Sequence, residues 1–236
     1  MNNKIEWAEL LGMLLSDGSV YSSKSSGTYR VGVVNNSEIW HEKFKQLSCI
    51  LFDVTKFSYD KSIARVPITY FCSKSIALKI QSLINSARTS SFERCNGKCC
   101  FRCLPFRSNE KFYTTIKFPN FLSKDSETQS AFLRALYSGD GSVLLGFRKD
   151  KKKVKIARKV SLHCCHPLLA KQVKSLLEDL GFSQISITDE SVDIFQKSEI
   201  KRFSKLINFW PIEVTGYWSK WNLTKPEVLQ LLVWRC

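Results

Sequence analysis

The sequence predicts an α+β protein built from two similar halves around a pair of central helices. A short stretch occurs twice, since residues 8–20 are AELLGMLLSDGSV and residues 131–143 are AFLRALYSGDGSV. Internal repetition of this kind indicates a duplicated unit. Each copy has the pattern of a helix that ends in Asp-Gly and continues into a strand. Hairpin and helix patterns then follow each copy in the same order, which supports the duplication.

Small residues recur at every fourth position of both predicted helices. Residues four apart share one face of a helix, and small side chains there let two helix backbones approach closely. Each helix packs either on its own sheet or on the other helix about a pseudo-twofold axis. Because both copies carry the small residues, we favour the second arrangement. These residues are Ala8, Gly12 and Ser16 in the first copy and Ala131, Ala135 and Gly139 in the second.

A helix pair of this kind places Asp17 and Asp140 side by side. Each aspartate lies at a helix C-terminus, where the partial negative charge of the backbone disfavours another anion. Two neighbouring carboxylates also repel each other. A lone Asp-Gly is typical of a turn, but two symmetric copies require a counter-charge, and a divalent cation with oxygen ligands, Mg²⁺ above all, provides it. Gly18 and Gly141 suit the left-handed residue that ends many helices.

The segments LLGMLLSDG (Leu10–Gly18) and LRALYSGDG (Leu133–Gly141) resemble the two motif copies of the LAGLIDADG homing endonucleases in their single-chain form. The Phe-Pro-Asn sequence at 118–120 is also similar to archaeal-type and intein-type members. The resemblance implies two pseudo-symmetric αββαββα repeats with the motif helices at their interface. It further implies two saddle-shaped antiparallel sheets in the DNA major groove. The motif differs from its usual form at Ser16, Ser138 and Ala135, but both carboxylates are present.

The repeats predict a first half over residues 1–104, a linker over 105–124 and a second half over 125–236. Two cysteine-rich stretches invite a metal interpretation. The cysteines at 95, 99, 100 and 103 lack a second spaced pair, so we favour packing residues over a zinc site. The four residues at 163–166, His-Cys-Cys-His, lie where a predicted strand runs into a helix. Their side chains therefore cannot all converge on one ion, and we favour a structural role.

The family resemblance also implies residues that assist the two aspartates. The predicted metal ligands are Asp17 and Asp140, together with Ser16 and Gly139 directly before them. Members of the family carry a lysine after the last helix of each half. In this sequence Lys98 and Lys220 lie at nearly equal distances beyond the two aspartates, and two ordinary surface lysines are the alternative.

Asn35 resembles the polar residue that orients a water molecule in this family. It is one of the five predicted catalytic residues, with Asp17, Asp140, Lys98 and Lys220. The alternative is a turn that leads into the next helix. Cys164 occupies the matching place in the second half, so this role is expected to be asymmetric.

The charge of the chain indicates a polyanionic partner. Lys and Arg number 36 against 21 acidic residues, which gives a net charge of +15, and nucleic acid is the favoured partner. No long apolar segment predicts a membrane span. Strand residues that face away from the core would contact bases and phosphates. The candidates are Ser19, Tyr21, Ser23, Arg30, Lys56, Ser58, Arg65, Arg148, Lys155 and Arg158. The basic run at 148–153 is either a solvated loop or a phosphate contact.

We therefore expect a monomeric, sequence-specific endonuclease that cuts both strands of double-stranded DNA and leaves staggered ends. Mg²⁺ is the expected cofactor, and Mn²⁺ or Ca²⁺ would replace it in DNA binding. The alternative is a LAGLIDADG protein that does not cut, either a maturase that binds intron RNA or a DNA-binding regulator. The N-terminus lacks a signal-peptide pattern, and nine cysteines in such a chain favour a reducing, intracellular location.

Overall fold

The protein, a computed structural model of the 236-residue chain, contains two copies of one helix and strand order. The structure describes residues 3–23, 25–61, 66–84, 107–108, 111–112, 117–123, 125–150 and 153–234. The first repeat comprises α1 (Lys4–Ser16), β1 (Gly18–Ser23), β2 (Thr28–Val34), α2 (Glu38–Phe52), β3 (Ser58–Lys61), β4 (Pro67–Cys72) and α3 (Lys74–Ile84). A two-strand pair, β5 (Arg107–Ser108) and β6 (Lys111–Phe112), follows it.

The second repeat has the same order and one additional helix. It comprises α4 (Ser126–Asp140), β7 (Gly141–Asp150), β8 (Lys153–His163), α5 (Pro167–Asp179), β9 (Ile185–Ile187), β10 (Ser191–Ile194), α6 (Lys197–Leu206) and α7 (Lys225–Val233). Short 3₁₀ turns at Asn120–Ser123 and Gly216–Trp221 precede α4 and α7. The sequence predicted the repeated order but missed α7.

Each repeat forms one four-stranded antiparallel sheet. The strand orders are β1-β2-β4-β3 and β7-β8-β10-β9, so the two sheets have the same topology. This arrangement confirms the predicted α+β class with two pseudo-symmetric repeats. Among the described residues, no helix has the length and apolar character needed to cross a membrane.

The two motif helices form the centre of the molecule. Every residue of α1 from Trp7 to Ser16 is buried, and so is the corresponding face of α4 from Thr128 to Leu133 and from Ala135 to Ser138. A helix that is covered on all sides packs against other elements around its whole circumference. Helices α1 and α4 are therefore core elements that both sheets share.

Small residues bring these two helices into backbone contact. A Cβ atom added to Gly12 would lie 2.5 Å from the carbonyl oxygen of Phe132 and 2.8 Å from the Cβ atom of Ala135. A Cβ atom added to Gly139 would lie 2.6 Å from the Cβ atom of Ser16. Real Cβ atoms do not come this close to other atoms, so a side chain at either glycine would push the helices apart. The predicted contact between the motif helices is thus present.

Gly18 and Gly141, which follow the two aspartates, do not have the left-handed conformation that the sequence predicted. Gly141 has extended backbone angles (φ −86°, ψ 153°), and neither Gly18 nor Gly141 is among the described glycines with positive φ. A Cβ atom on Gly18 would lie 2.2 Å from the Cα atom of Leu14, and one on Gly141 would lie 2.2 Å from the carbonyl oxygen of Tyr137. Glycine is needed because the strand begins directly against the last turn of the helix, and the expected left-handed conformation is wrong.

The second repeat begins at a well-formed helix cap. The carboxylate of Asp125 accepts hydrogen bonds from the backbone N–H and the hydroxyl of Thr128, at 2.7 and 2.8 Å. This cap satisfies free N–H groups of α4 and fixes where that helix starts. The end of the first half and the cysteines at 95, 99, 100 and 103 lie outside the described residues, so the predictions for them stay predictions.

The helix contact predicts a specific stability effect. Gly12→Val should lower the free energy of unfolding by about 1–3 kcal/mol, because overpacking a close contact forces the neighbouring atoms to move. Urea unfolding followed by circular dichroism measures this loss.

Gly146→Ala is the matched control for that substitution. A Cβ atom added to Gly146 meets nothing within 4 Å, so stability should change by less than about 0.5 kcal/mol. Equal effects of the two substitutions would contradict the role given to the helix contact.

Candidate functional site

The two motif aspartates lie at the same end of the central helix pair. Asp17 directly follows α1 as its C-terminal cap residue, and Asp140 is the last residue of α4. Ser16 and Gly139, the residues just before them, face each other across the helix contact. Both carboxylates also act electrostatically on one ammonium group, that of Lys225. The structure therefore brings together the two acids that the repeat predicted to meet.

Asn35 holds the carboxylate of Asp17. Its amide Nδ2 donates a hydrogen bond of 2.7 Å to Oδ2 of Asp17. Its amide oxygen accepts a hydrogen bond of 2.7 Å from the backbone N–H of Ser37, directly before α2. The hydrogen bond from Ser37 fits the turn into the next helix that the sequence analysis gave as the alternative, and the hydrogen bond to Asp17 places Asn35 beside the acid. Its predicted role of orienting a water molecule stays a prediction. The turn orients the amide towards the acid.

Strand register identifies the matching residue of the second half. Val33 is paired with Gly18 across the first hairpin, and Leu162 is paired with Gly141 across the second. The second residue after each of these is Asn35 and Cys164, respectively. The correspondence that the sequence suggested between these two positions thus holds in the structure.

Cys164 cannot act on its aspartate as Asn35 does. The thiol is buried, and its Sγ lies 3.6 Å from the carbonyl oxygen of His166, to which it donates. Burial raises the pKa of Cys164 to about 12, so the group is a neutral thiol at pH 7. The two halves of the site are therefore chemically different around Asp17 and Asp140.

Lys225 is the site residue that the sequence analysis missed. Its ammonium group donates hydrogen bonds to the carbonyl oxygens of Ser138 at 2.6 Å and Gly139 at 3.2 Å. These are free carbonyls at the C-terminus of α4, where a cation is favourable. Burial lowers the pKa of Lys225 to about 8, while the negative charges of Asp17 and Asp140 oppose that fall. Lys225 thus carries a partial compensating charge for both acids.

A helix start fixes the position of Lys225. It is the first residue of α7, and the Thr224 and Glu227 side chains form a capping box there. The backbone N–H of Lys225 donates to the carbonyl oxygen of Ile212 at 2.8 Å. The sequence carries this signal as Thr-Lys-Pro-Glu at 224–227, since Thr and Glu three residues apart with an early proline mark a helix N-terminus.

Of the two lysines proposed from the sequence, only Lys220 lies in the described part of the chain. Lys220 is exposed on the 3₁₀ turn Gly216–Trp221, before the buried Lys225. Lys98 is outside the described residues. The catalytic roles suggested for these two lysines stay predictions.

The oxygen donors at the paired helix ends suit a hard divalent cation. Two carboxylates and the last carbonyl groups of two helices converge there, and Mg²⁺ and Ca²⁺ prefer such ligands. The Ser16 hydroxyl donates to the carbonyl oxygens of Gly12 and Met13, both at 3.1 Å, within its own helix. The backbone carbonyls of Ser16 and Gly139 are further oxygen donors at these helix ends. In the described part of the chain, no group of three or more His, Cys, Asp or Glu side chains could hold a metal.

The His-Cys-Cys-His sequence at 163–166 begins a helix. The Nδ1 atom of His166 accepts a hydrogen bond of 3.3 Å from the backbone N–H of Leu169, which caps α5. The Cys165 sulfur lies 3.6 Å from Nε2 of His163. His166 is fully buried, whereas His163 is exposed. The two imidazoles therefore lie in different environments.

Strand alternation defines an outer face on the first sheet. Val31 and Val33 are fully buried in the core. Successive residues of a strand point to opposite faces, so Arg30, which directly precedes Val31, lies on the face away from the core. Residues directly paired across antiparallel strands share a face. The pairs Ser19–Gly32, Tyr21–Arg30, Ser23–Thr28, Gly32–Tyr70 and Ser58–Tyr70 place Ser19, Tyr21, Ser23, Arg30 and Ser58 on this outer face.

The remaining predicted DNA contacts have mixed outcomes. Arg158 lies two residues before Val160 on β8, so it shares the face of that core residue. The prediction that it faces outward is therefore wrong, because a shift of one residue along a strand reverses the face. Lys56 is exposed, but it lies before β3 and not within a strand, as the sequence analysis had predicted it to be. The backbones of Arg148 and Lys155 pair across β7 and β8, whereas their side chains and Arg65 lie outside the described residues.

Comparison with known proteins shows which proteins share this fold. Residues 127–208 match the LAGLIDADG-like domain family. Mesophilic variants of the homing endonuclease I-DmoI share 17% identity over 88% of this chain and 92% of theirs, with a TM-score of 0.55. I-DmoI in complex with DNA and Mn shares 19% identity over 87% of this chain and 97% of its own, with a TM-score of 0.54. The meganuclease I-SmaMI bound to uncleavable DNA shares 16% over 87% and 85%, with a TM-score of 0.51. No curated protein sequence matches the chain.

The class of protein is therefore a two-repeat α+β fold with paired motif helices. Within its second half, residues 127–208 match the LAGLIDADG-like domain family, and most of the chain has the fold of the homing endonucleases I-DmoI and I-SmaMI. The resemblance to the LAGLIDADG homing endonucleases, in the single-chain form, is confirmed.

The buried lysine predicts a pH-dependent stability. Between the folded pKa of about 8 and the ordinary 10.5, the unfolded chain binds more protons, so this group makes stability rise with pH. The free energy of unfolding of Lys225→Met, relative to that of the wild type, should therefore be higher at pH 7 than at pH 10, by up to about 3 kcal/mol. Urea unfolding of both proteins at the two pH values measures it. A difference that does not change with pH would contradict the burial of this charge.

Proposed function

We propose that this protein is a site-specific DNA endonuclease that hydrolyses phosphodiester bonds with a divalent cation. The observation that carries the proposal is the placement of Asp17 and Asp140 at adjoining helix ends, where the Lys225 ammonium is hydrogen-bonded to the last carbonyls of α4 and feels the charge of both acids. Two acids and a cation of this kind are what metal-assisted phosphodiester hydrolysis requires. A purely structural helix pair has no need of them.

Double-stranded DNA is the substrate that the charge and the outer face support. A net charge of +15 attracts the phosphate backbone. The outer face of the first sheet presents Tyr21, Arg30 and several hydroxyl groups, which are suited to base edges and phosphates. The I-DmoI and I-SmaMI structures include complexes of those proteins with DNA. We infer the same partner here.

Mg²⁺ is the proposed cofactor, and Asp17 and Asp140 would hold it with the backbone carbonyls of Ser16 and Gly139. Structures of I-DmoI with its DNA contain Mn, Ca or Mg. When bound, such an ion supplies an activated water and neutralises charge on the phosphate and the leaving oxygen. The oxygen-only donor set fits this ion better than it fits a softer metal.

The residues around the acids fix their geometry and charge. Asn35 fixes the orientation of the Asp17 carboxylate through its 2.7 Å hydrogen bond. Lys225 presents a fixed positive charge beside both acids, where it would stabilise the negative charge that develops on the attacked phosphate. Since its position is held by two carbonyl groups and a helix start, little reorganisation is needed during the reaction.

The two repeats make one chain sufficient for both strands. Their pseudo-twofold arrangement matches the approximate twofold symmetry of a DNA duplex, with one sheet for each half-site. We therefore propose a monomer that cuts both strands and leaves staggered ends.

Substitution of the acids tests the proposed chemistry. Asp17→Asn and Asp140→Asn should each abolish double-strand cleavage, because each removes a charged ligand from a shared cation site. DNA affinity in Ca²⁺ should largely remain, since the outer faces of the sheets are unchanged. Digestion of a plasmid library of randomised sites with Mg²⁺, against EDTA, measures cleavage. A wild-type protein that binds DNA but never cuts it with Mg²⁺ would contradict the proposal and favour a regulator.

Lys225→Met tests the fixed charge. Loss of one preorganised cation should lower the rate of single-turnover cleavage by about 100-fold, with little change in affinity. Lys171→Met, on the exposed surface of α5, is the control and should cut at the wild-type rate. A larger loss in Lys220→Met than in Lys225→Met would contradict the assignment of the charge to Lys225.

A further inference from the structure

The two sheets carry a basic residue at the same position of their second strand. Counting back from the residues paired with the motif glycines, Val33 and Leu162, the third residue is Arg30 in the first repeat and Lys159 in the second. Both lie on interior strands, β2 and β8, of their sheets. Both also lie on the face opposite the core residues of the strand. The two positions are therefore pseudo-symmetric, but their surroundings differ.

In the first repeat the basic residue stacks on an aromatic ring. The guanidinium carbon of Arg30 lies 4.0 Å from the centre of the Tyr70 ring. Gly32 is the direct cross-strand partner of Tyr70, and a Cβ atom there would lie 2.6 Å from the Cβ atom of Tyr70. The close approach of β2 and β4 beside Arg30 therefore depends on the absence of a side chain at position 32.

Stacking engages the flat face of Arg30, so the terminal Nη groups, and not the buried Nε, are the donors that a base would meet. Its Nε atom is buried without a hydrogen-bond partner, and no carboxylate in the described part of the chain forms an ion pair with it. A guanidinium that stacks through its face keeps its donors in the plane of the group. Tyr21, paired with Arg30 on the other side, is about half exposed, so this region of the face is open.

In the second repeat an acid occupies the place of the tyrosine. Asp193 is paired with Ser161, as Tyr70 is paired with Gly32. Its carboxylate is almost completely buried and accepts a hydrogen bond from Nζ of Lys159 at 3.1 Å and one from the Ser161 hydroxyl. The Lys159 ammonium also lies 5.9 Å from the ring of Phe195. The charge of Lys159 is thus compensated inside the sheet.

We propose that Arg30 recognises a guanine in the major groove of the half-site bound by the first repeat, and that the symmetric position of the other half-site has no guanine requirement. The inference rests on the proposed DNA-binding function. Arginine donates two hydrogen bonds to O6 and N7 of guanine, the commonest specific contact to a base. We infer a base contact and not a phosphate contact because Arg30 lies on an interior strand, away from the edges of the sheet. The target is therefore asymmetric at this position.

The test is selection of bound DNA from a randomised duplex library in Ca²⁺, with the wild type and matched variants. The wild type should enrich a site with guanine at one position of one half. In Arg30→Gln that guanine preference should be lost, with about 10- to 100-fold weaker binding of the guanine-containing site. Tyr70→Leu should weaken the same preference, and Tyr70→Phe should retain it. Lys159→Gln, the pseudo-symmetric control, should leave every base preference unchanged.

Three results would overturn the proposal. The first is that Arg30→Gln leaves all base preferences unchanged, weakens the binding of all sequences equally and lowers the slope of affinity against salt by about one unit, which identifies a phosphate contact. Loss of a guanine from the second half-site in Lys159→Gln would show that the two halves are equivalent here. Failure of the wild type to enrich any sequence would overturn the proposed DNA function itself, so the two failures are distinguishable. Circular dichroism confirms that each variant is folded.

Discussion

The backbone contact between α1 and α4 determines where every functional group lies. Because Gly12 and Gly139 have no side chains, the helices approach closely enough for their C-termini to adjoin. This contact places Asp17 beside Asp140, and the first strand of each sheet begins directly after these acids. The arrangement is unfavourable for the acids, since two carboxylates and two helix C-termini concentrate negative charge. The buried ammonium of Lys225 compensates part of it, and a divalent cation would compensate the rest.

The two repeats have kept the same fold while their polar residues have changed. Asn35 holds Asp17, whereas the matching Cys164 is a buried thiol that contacts a backbone carbonyl. On the outer faces, the stacked Arg30 corresponds to the ion-paired Lys159. Differences of this kind suit a single chain, because each half would meet only one half of the proposed DNA site. A symmetric dimer would impose identical contacts on both.

The sequence predicted what depends on repetition and local pattern. The two motif copies were sufficient to identify the helix pair and both aspartates, and the hairpin pattern located Arg30 on an outer face. Lys225 was missed because its place depends on the path of the chain after α6, and only the capping signal at 224–227 marks the helix that carries it. Arg158 was assigned to the wrong face because a strand reverses its face at every residue. The prediction of a left-handed conformation at Gly18 was also wrong. Glycine is needed there because the backbone comes close to Leu14, which depends on tertiary geometry.

The most direct test of this account is to locate the cation. Crystals of the protein grown with its selected DNA and Mn²⁺ would reveal the metal through its anomalous scattering. The account predicts a peak between Asp17 and Asp140, within about 2.0–2.6 Å of a carboxylate oxygen from each. Metal bound elsewhere, or two aspartates too far apart to contact one cluster of ions, would contradict it.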